Sequence, residues 1–279
     1  MNSPERRLLI SVDMERYSRR GNVQQHEAQR AFHELLHDAA HAVGLDRASW
    51  TTQKAGDGEL AILPRDVAES RVIGRFVPEL NRRLREYNSS RVAAARVRLR
   101  LAVHQGLVHL DGANGFPGNA VVLVCRLCDA DPVRRALAAF PEAGVALVVS
   151  PDIYREVVCE YPEEMRSERF VRIRISRPEK GFDEHAWLYV VDEDMSAFQE
   201  PQADGPDDQG GPDDSGGQMS GRSDPRPEGP AGGSRSHRGN EGIRTGNIRV
   251  NGPNAIGSNA TAIGSVGRDL NFGPERGGW

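Results

Sequence analysis

The segment 50–64, WTTQKAGDGELAILP, constrains the fold most. Thr51, Thr52 and Gln53 read as a short strand, Ala55-Gly56-Asp57-Gly58 as a tight turn, and residues 59–63 as an apolar return strand stopped by Pro64. An aspartate flanked by two glycines between two such runs is a hairpin signal. It lifts one carboxylate, Asp57, to the tip of a rigid element. A second carboxylate, Asp13, ends another apolar run, Leu8-Leu9-Ile10-Ser11-Val12, and residues 23–43 between them have helical spacing. A strand-helix-strand crossover makes its strands parallel, so their C-terminal ends share one sheet edge. With neighbouring strands about 4.8 Å apart, Asp13 and Asp57 come within reach of one hard divalent cation. Mg²⁺ is commonly held by one or two carboxylates plus substrate phosphates. The alternative is that Asp57 only forms the turn and Asp13 is only a helix-side cap.

The remaining pattern supplies a sheet with helices. Residues 27–43 place Ala31, Leu35, Ala39 and Val43 on one helical stripe closed by Gly44. The same helix carries His33-Glu34-Leu35-Leu36-His37, the HExxH spacing of zinc proteases. Ala40 and Val43 stand where the metzincin extension needs glycine and histidine, and no downstream helical glutamate stands out. A polar stripe of His26, His33, His37 and His41 on an amphipathic helix is the favoured reading. Residues 67–87 form a second helix with Val72, Phe76, Leu80 and Leu84 inward. Residues 96–101 alternate as a strand with Arg96, Arg98 and Arg100 on one face, read as a solvated row in preference to a phosphate-facing one. His104-Gln105-Gly106 reads as a turn into 107–110. Helices follow at 118–127 and 133–140, a buried strand at 145–149, a short helix at 151–158, and closing strands at 170–175 and 186–191. Cys125-x-x-Cys128 falls in a helix without a second pair, which favours buried thiols over zinc. The total is α/β (α+β), a sandwich on a ferredoxin-like core with one sheet face covered by helices.

Four blocks, in order, resemble the catalytic domain of class III nucleotide cyclases. SVDMERYS resembles its first metal-binding strand and phosphate-cradling turn, and KAGDGELAILP its second metal-binding hairpin. VRLRLAVHQGLV is similar to the strand after the central helix, GNAVVLVCRL to the start of the catalytic helix, and Glu179-Lys180-Gly181-Phe182 to a late Lys-Gly turn. The resemblance covers roughly residues 7–191. It implies a head-to-tail homodimer with shared sites, Mg²⁺ or Mn²⁺ as cofactor and a nucleoside triphosphate as ligand. It also implies Asp13 and Asp57 as metal residues and Arg126 as the catalytic arginine. Met14, Glu15, Arg16, Tyr17, Gln53 and Gly56 match the nucleotide-binding positions. The match departs where the family has a ribose-orienting asparagine, here Val122, and a base-reading lysine, here Gln53. The acidic partner of that lysine falls near Gly115. Two readings therefore stay open: a working cyclase on an unassigned nucleotide, and a pseudo-cyclase acting as nucleotide sensor or interaction module.

Composition bounds the rest. A chain of 279 residues, 38% hydrophobic and 27% charged with net charge −4, holds one substantial domain and something extra. The near balance of charge gives no drive toward nucleic acid or membrane. No run approaches a spanning length, and three cysteines make no disulfide framework, so a soluble cytoplasmic protein is expected. The expected domains are a cyclase-like unit at 1–195, a disordered Gly/Pro/Asp-rich linker at 196–241 and a Gly/Asn-rich β-prone tail at 242–279. In the tail Ala255-Ile256-Gly257-Ser258 recurs as Ala262-Ile263-Gly264-Ser265 among asparagines. It loosely resembles amyloid-type signalling motifs of bacterial immune-like proteins, which implies homotypic assembly by strand stacking; a disordered or edge-docking tail is the alternative.

Overall fold

The computed structural model describes residues 3–198, within one compact unit at 1–201. The expected linker and tail lie outside the described residues. Strand β1 (Glu5–Met14) leads through helix α1 (Asn22–Ala42) to the hairpin β2 (Thr51–Ala55) and β3 (Gly58–Ile62). A helical rod follows, built from α2 (Glu69–Arg71), a π-helical turn (Val72–Phe76) and α3 (Val77–Ser89). Then come β4 (Leu99–Val108), α4 (Asn119–Cys128), α5 (Asp131–Ala139), β5 (Val145–Val149), α6 (Pro151–Ile153) with a π turn (Tyr154–Val158), β6 (Val171–Arg177) and β7 (Phe182–Val190). The sheet has seven strands in the order β2-β3-β1-β4-β5-β7-β6. Its first four strands and the helices between them are the expected ferredoxin-like core, and the fold class is as the sequence implied.

Three expectations are corrected. β1 and β2 run in the same direction, but β3 lies between them, so the strand beside Asp13 is the antiparallel return strand. The stretch at 104–106 does not turn: β4 continues to Val108. Gly106 is small for another reason, since a Cβ there would lie 2.6 Å from Cβ of Ala120 on α4. Helices also cover both sheet faces rather than one. His33 of α1 approaches Glu59, which pairs with Val12, whereas Ala120 packs on Gly106, which pairs with Arg7. Residues 12 and 7 of one strand point to opposite faces.

Burial follows this layering. β5, with helices on both faces, reads VALVV and every residue is buried. The edge strand β6 alternates instead, Ile173 and Ile175 inward and Arg172 and Arg174 outward. Asn81 of α3, fully buried, ties the helical rod to the sheet. Its amide donates to Val191 O (3.3 Å) and Asp192 Oδ2 (2.9 Å), and its oxygen accepts from Gly144 N (2.9 Å) and Val145 N (3.1 Å). All four of its hydrogen-bonding positions are used, so this buried amide carries no desolvation penalty.

His104 on β4 is also buried, its Nδ1 2.9 Å from the Ser150 hydroxyl at the start of α6. Burial holds its pKa below the ordinary value of 6.5, against the opposing pull of Asp152. The unfolded chain therefore takes up a proton that the folded chain refuses. Stability from this group is complete above about pH 6.5 and is lost as pH falls toward the depressed folded value. Denaturant unfolding between pH 8 and pH 5 should show a downward slope in wild type that is reduced in His104→Gln; equal slopes would remove His104 as its source.

Candidate functional site

The site is built where β1 meets the β2–β3 turn. Asp13 stands opposite Gly58 in the β1–β3 ladder, and Met14 N donates to Asp57 O at 2.9 Å. Asp13, near the end of β1, and Asp57, in the β2–β3 turn, therefore lie at the same end of the sheet. Gly58 makes the approach possible: a Cβ there would fall 2.3 Å from Val12 O and 3.2 Å from Asp13 Cα. Gly56 takes φ +46°, which suits glycine in the turn, and its carbonyl accepts from Gln29 Nε2 of α1 at 2.7 Å. The turn is thus pinned from the sheet and from the helix layer.

Charge on the α4 face is arranged in two cross-strand pairs. Arg100 of β4 lies opposite Asp13 and its guanidinium contacts the Asp13 carboxylate. One step along, Arg98 Nη1 donates to Glu15 Oε2 at 3.0 Å. Arg98 also donates to Phe140 O (2.8 Å), Ala143 O (3.0 Å) and Leu137 O, capping the C-terminal carbonyls of α5. Arg100 is only 8% exposed, so the expected solvated arginine row is overturned for these two side chains. They are buried because carboxylates and helix-end carbonyls await them there.

Asp57 is partly buried, and burial together with the charge of Asp129 raises its pKa. Asp129, at the C-terminal end of α4, contacts Arg134 and accepts from Arg177 Nη2 at 3.0 Å. Tyr17 is raised in turn by burial and by Asp57. The expected phosphate-cradling turn has Arg16 in the left-handed region at φ 56°, leading into a 3₁₀ turn at Tyr17–Arg19. Of its residues, Glu15 is spent on Arg98, whereas the Arg16 side chain is 63% exposed.

The other expected residues divide. Gln53 lies against Gly115, whose added Cβ would sit 2.8 Å from Gln53 Oε1, so these two departures from the cyclase pattern meet in space. Arg126 does not join the aspartates by any contact in this chain; its guanidinium lies 4.8 Å from the centre of the Phe182 ring. Val122, one helical turn earlier on α4, is 42% exposed. His33 Nδ1 is 4.0 Å from Glu59, which is itself bound by Arg47 at 2.7 and 2.8 Å, and His37 stacks on His41. Among the described residues no group of three or more His, Cys, Asp or Glu side chains is placed to hold a metal. Burial pushes the Cys125 thiol up and the Cys128 thiol up to about 12, as for inert core cysteines. Sequence reasoning missed Arg100 and Asp129. The alternation around Arg100 was visible, but its partner is set by the β1–β4 register, which no local pattern reveals.

No known protein family and no curated protein matches the sequence. Solved structures do. An adenylate/guanylate cyclase/hydrolase from Silicibacter pomeroyi is 19% identical over 69% of this chain and 100% of its own, with a TM-score of 0.49. A guanylate cyclase domain from Catenaria anguillulae in complex with GTP is 15% identical over 68% and 99%, with a TM-score of 0.43. An adenylyl cyclase from P. aeruginosa is 13% identical over 69% and 99%, with a TM-score of 0.41. The chain is similar to class III cyclase catalytic domains. No helix among the described residues is long and apolar enough to cross a membrane.

The contact at Gly58 yields a direct test. Gly58→Ala forces β3 away from β1 because the atom it meets is backbone. Overpacking of this kind costs about 1–3 kcal/mol, so denaturant unfolding should show a loss in that range; an unchanged midpoint would contradict the close approach.

Proposed function

We propose that this cyclase-like domain binds a nucleoside triphosphate together with Mg²⁺ or Mn²⁺ at the edge formed by β1 and the β2–β3 turn. The observation that carries the reading is the backbone pairing that sets Asp13 and Asp57 side by side. Their chemistry fits the ion: two carboxylates, one near a strand end and one in the adjacent turn, match the usual protein share of a Mg²⁺ site, with phosphate oxygens and water completing it. The raised pKa of Asp57 fits as well, since a cation beside Asp57 and Asp129 relieves like-charge crowding. When bound, such an ion polarises phosphoryl oxygens and acidifies the ribose hydroxyl.

The chain's own residues take the following parts. Asp13 and Asp57 hold the ion, and the segment Met14–Tyr17 leads into a 3₁₀ turn whose opening N–H groups, from Tyr17 on, face phosphate oxygens. Gly56 keeps the hairpin tip low enough for the triphosphate to lie across it. Gln53 faces the base as a neutral amide. Arg126, on the outer part of α4, serves the transferring phosphorus of a second protomer in a head-to-tail homodimer, where a guanidinium stabilises charge developing in the transition state. In turnover the 3′-oxygen bonds to the α-phosphorus, the bond to the β-phosphate oxygen breaks, and pyrophosphate leaves with the electron pair.

A second reading, the catalytically inactive sensor, has a specific observation behind it. Val122 offers no hydrogen bond to a ribose, and Gln53 against Gly115 supplies neither the charge nor the acid of the family pattern. In that reading nucleotide occupancy passes to the C-terminal tail, which assembles with copies of itself.

Purified full-length protein should be incubated with each of the four nucleoside triphosphates and Mg²⁺ or Mn²⁺, reading pyrophosphate and cyclic product. Product that falls at least a hundredfold in Asp57→Ala supports the cyclase. Metal-dependent binding without product supports the sensor. Binding of no triphosphate, with either ion, ends both.

A further inference from the structure

A cavity of about 180 Å³ opens between the π-helical turn at Val72–Phe76 and the segment 163–170. It lies on the sheet face opposite Asp13 and Arg100: Arg100 pairs with Asp13, whereas its neighbour Leu101 pairs with Leu147, and Leu147 with Tyr189. Ile73, Val77, Leu147 and Phe170 give it apolar walls. Drug-sized ligands occupy about 300–1,000 Å³, so this cavity suits a smaller molecule. Tyr189 lines it and is only 9% exposed, its ring held 5.3 Å from that of Phe170. The Tyr189 hydroxyl oxygen accepts from Arg169 Nη1 at 3.0 Å and from Asp192 N at 2.8 Å, and both of these residues line the cavity too. Its two acceptor positions are thereby used, and no acceptor among the described residues takes the O–H proton. A side chain this deeply buried ordinarily has its polar groups paired. The backbone is strained to make the arrangement: Asp192 is not glycine, yet takes φ 65° while its N–H meets Tyr189.

We infer that this cavity binds a small amino acid with an apolar side chain, its carboxylate on the Tyr189 hydroxyl and the Arg169 guanidinium and its ammonium on the Asp192 carboxylate. Two residues of opposite charge, Arg169 and Asp192, flank one hydroxyl. A bare anion would meet Asp192, with Glu163 and Glu164 also on the lining, and a bare cation would meet Arg169 and Arg166. A zwitterion offers each sign to its counterpart through groups on one carbon. A water molecule would accept the free proton but answer neither charge. The acid is already aimed: Asn81 Nδ2 donates to Asp192 Oδ2 at 2.9 Å, which leaves Oδ1 for an ammonium. Arg169 spends Nη1 on Tyr189 and has further donors in the same fork for a carboxylate. Glu164 is engaged by Arg75 at 3.1 Å, so Asp192 is the better placed acid. The apolar walls take the side chain, which gains from leaving water. This site does not rest on the nucleotide reading.

Isothermal titration calorimetry of the full-length protein with leucine, methionine and phenylalanine, in the absence of nucleotide, tests this. Saturable binding of at least one of them is expected. The analogues of that amino acid lacking the ammonium or the carboxylate, for leucine isocaproate and isoamylamine, should each bind at least about tenfold more weakly. Tyr189→Phe keeps the ring and removes only the hydroxyl, and Arg169→Gln alters an exposed side chain; each should weaken binding about tenfold. Circular dichroism establishes that the variants are folded, and Arg169→Gln carries the test should Tyr189→Phe fail to fold. No saturable binding of any of the three amino acids to wild type overturns the inference. So does equal binding of the analogue without the ammonium, or an unchanged affinity in either folded variant. None of these results bears on whether the other face of the sheet binds a triphosphate.

Discussion

The approach of β3 to β1 at Gly58 is the constraint on which the rest of the described structure depends. A strand pair ordinarily tolerates side chains at every register position, because they project from the two faces. Here the backbone of β3 comes so close to Val12 that a single methyl group has no place. That closeness is at the end of the strand pair, next to the turn that carries Asp57. The hairpin turn is then held by Met14 N from β1 and by Gln29 from α1. Two carboxylates from distant parts of the chain are thereby brought to one end of the sheet by backbone contacts.

The second organising element is electrostatic. Arg98, just before β4, and Arg100, on it, enter the α4 face and meet Glu15, just after β1, and Asp13, near its end. The pairs look alike in register but differ in what surrounds them. Arg98 spends its donors on the end of α5, where unpaired carbonyls and the helix dipole favour a cation. Arg100 instead contacts Asp13 and retains a buried Nε donor. One pair consolidates the fold; the other leaves a buried donor unpaired.

Much of this was legible in the sequence where the determining contacts are local. The hairpin was readable because turn chemistry and the apolar return strand lie within fifteen residues. The amphipathic stripes of α1 and α3, the apolar run of β5 and the aspartates at strand ends were readable for the same reason. The failures share one cause: the deciding neighbour was far away in the chain. Gly106 looked like a turn residue, yet its smallness answers Ala120 on α4. The arginine row looked solvated because its counter-charges, Asp13 and Glu15, lie more than eighty residues upstream. Helices on both faces were missed because periodicity identifies a helix but says nothing about which face of the sheet it covers.

The departures from the cyclase pattern gain meaning from where they fall. Gln53 and Gly115 are sixty-two residues apart in sequence, yet the amide of one fills the space that a side chain on the other would need. A lysine and an acid at these positions would attract; a glutamine and a glycine have nothing to exchange but shape. Both positions are neutral in this chain. At the end of β1 both carboxylates are present, and an arginine contacts Asp13. In the proposed nucleotide reading, base selectivity and ion affinity rest on these two separate groups of residues.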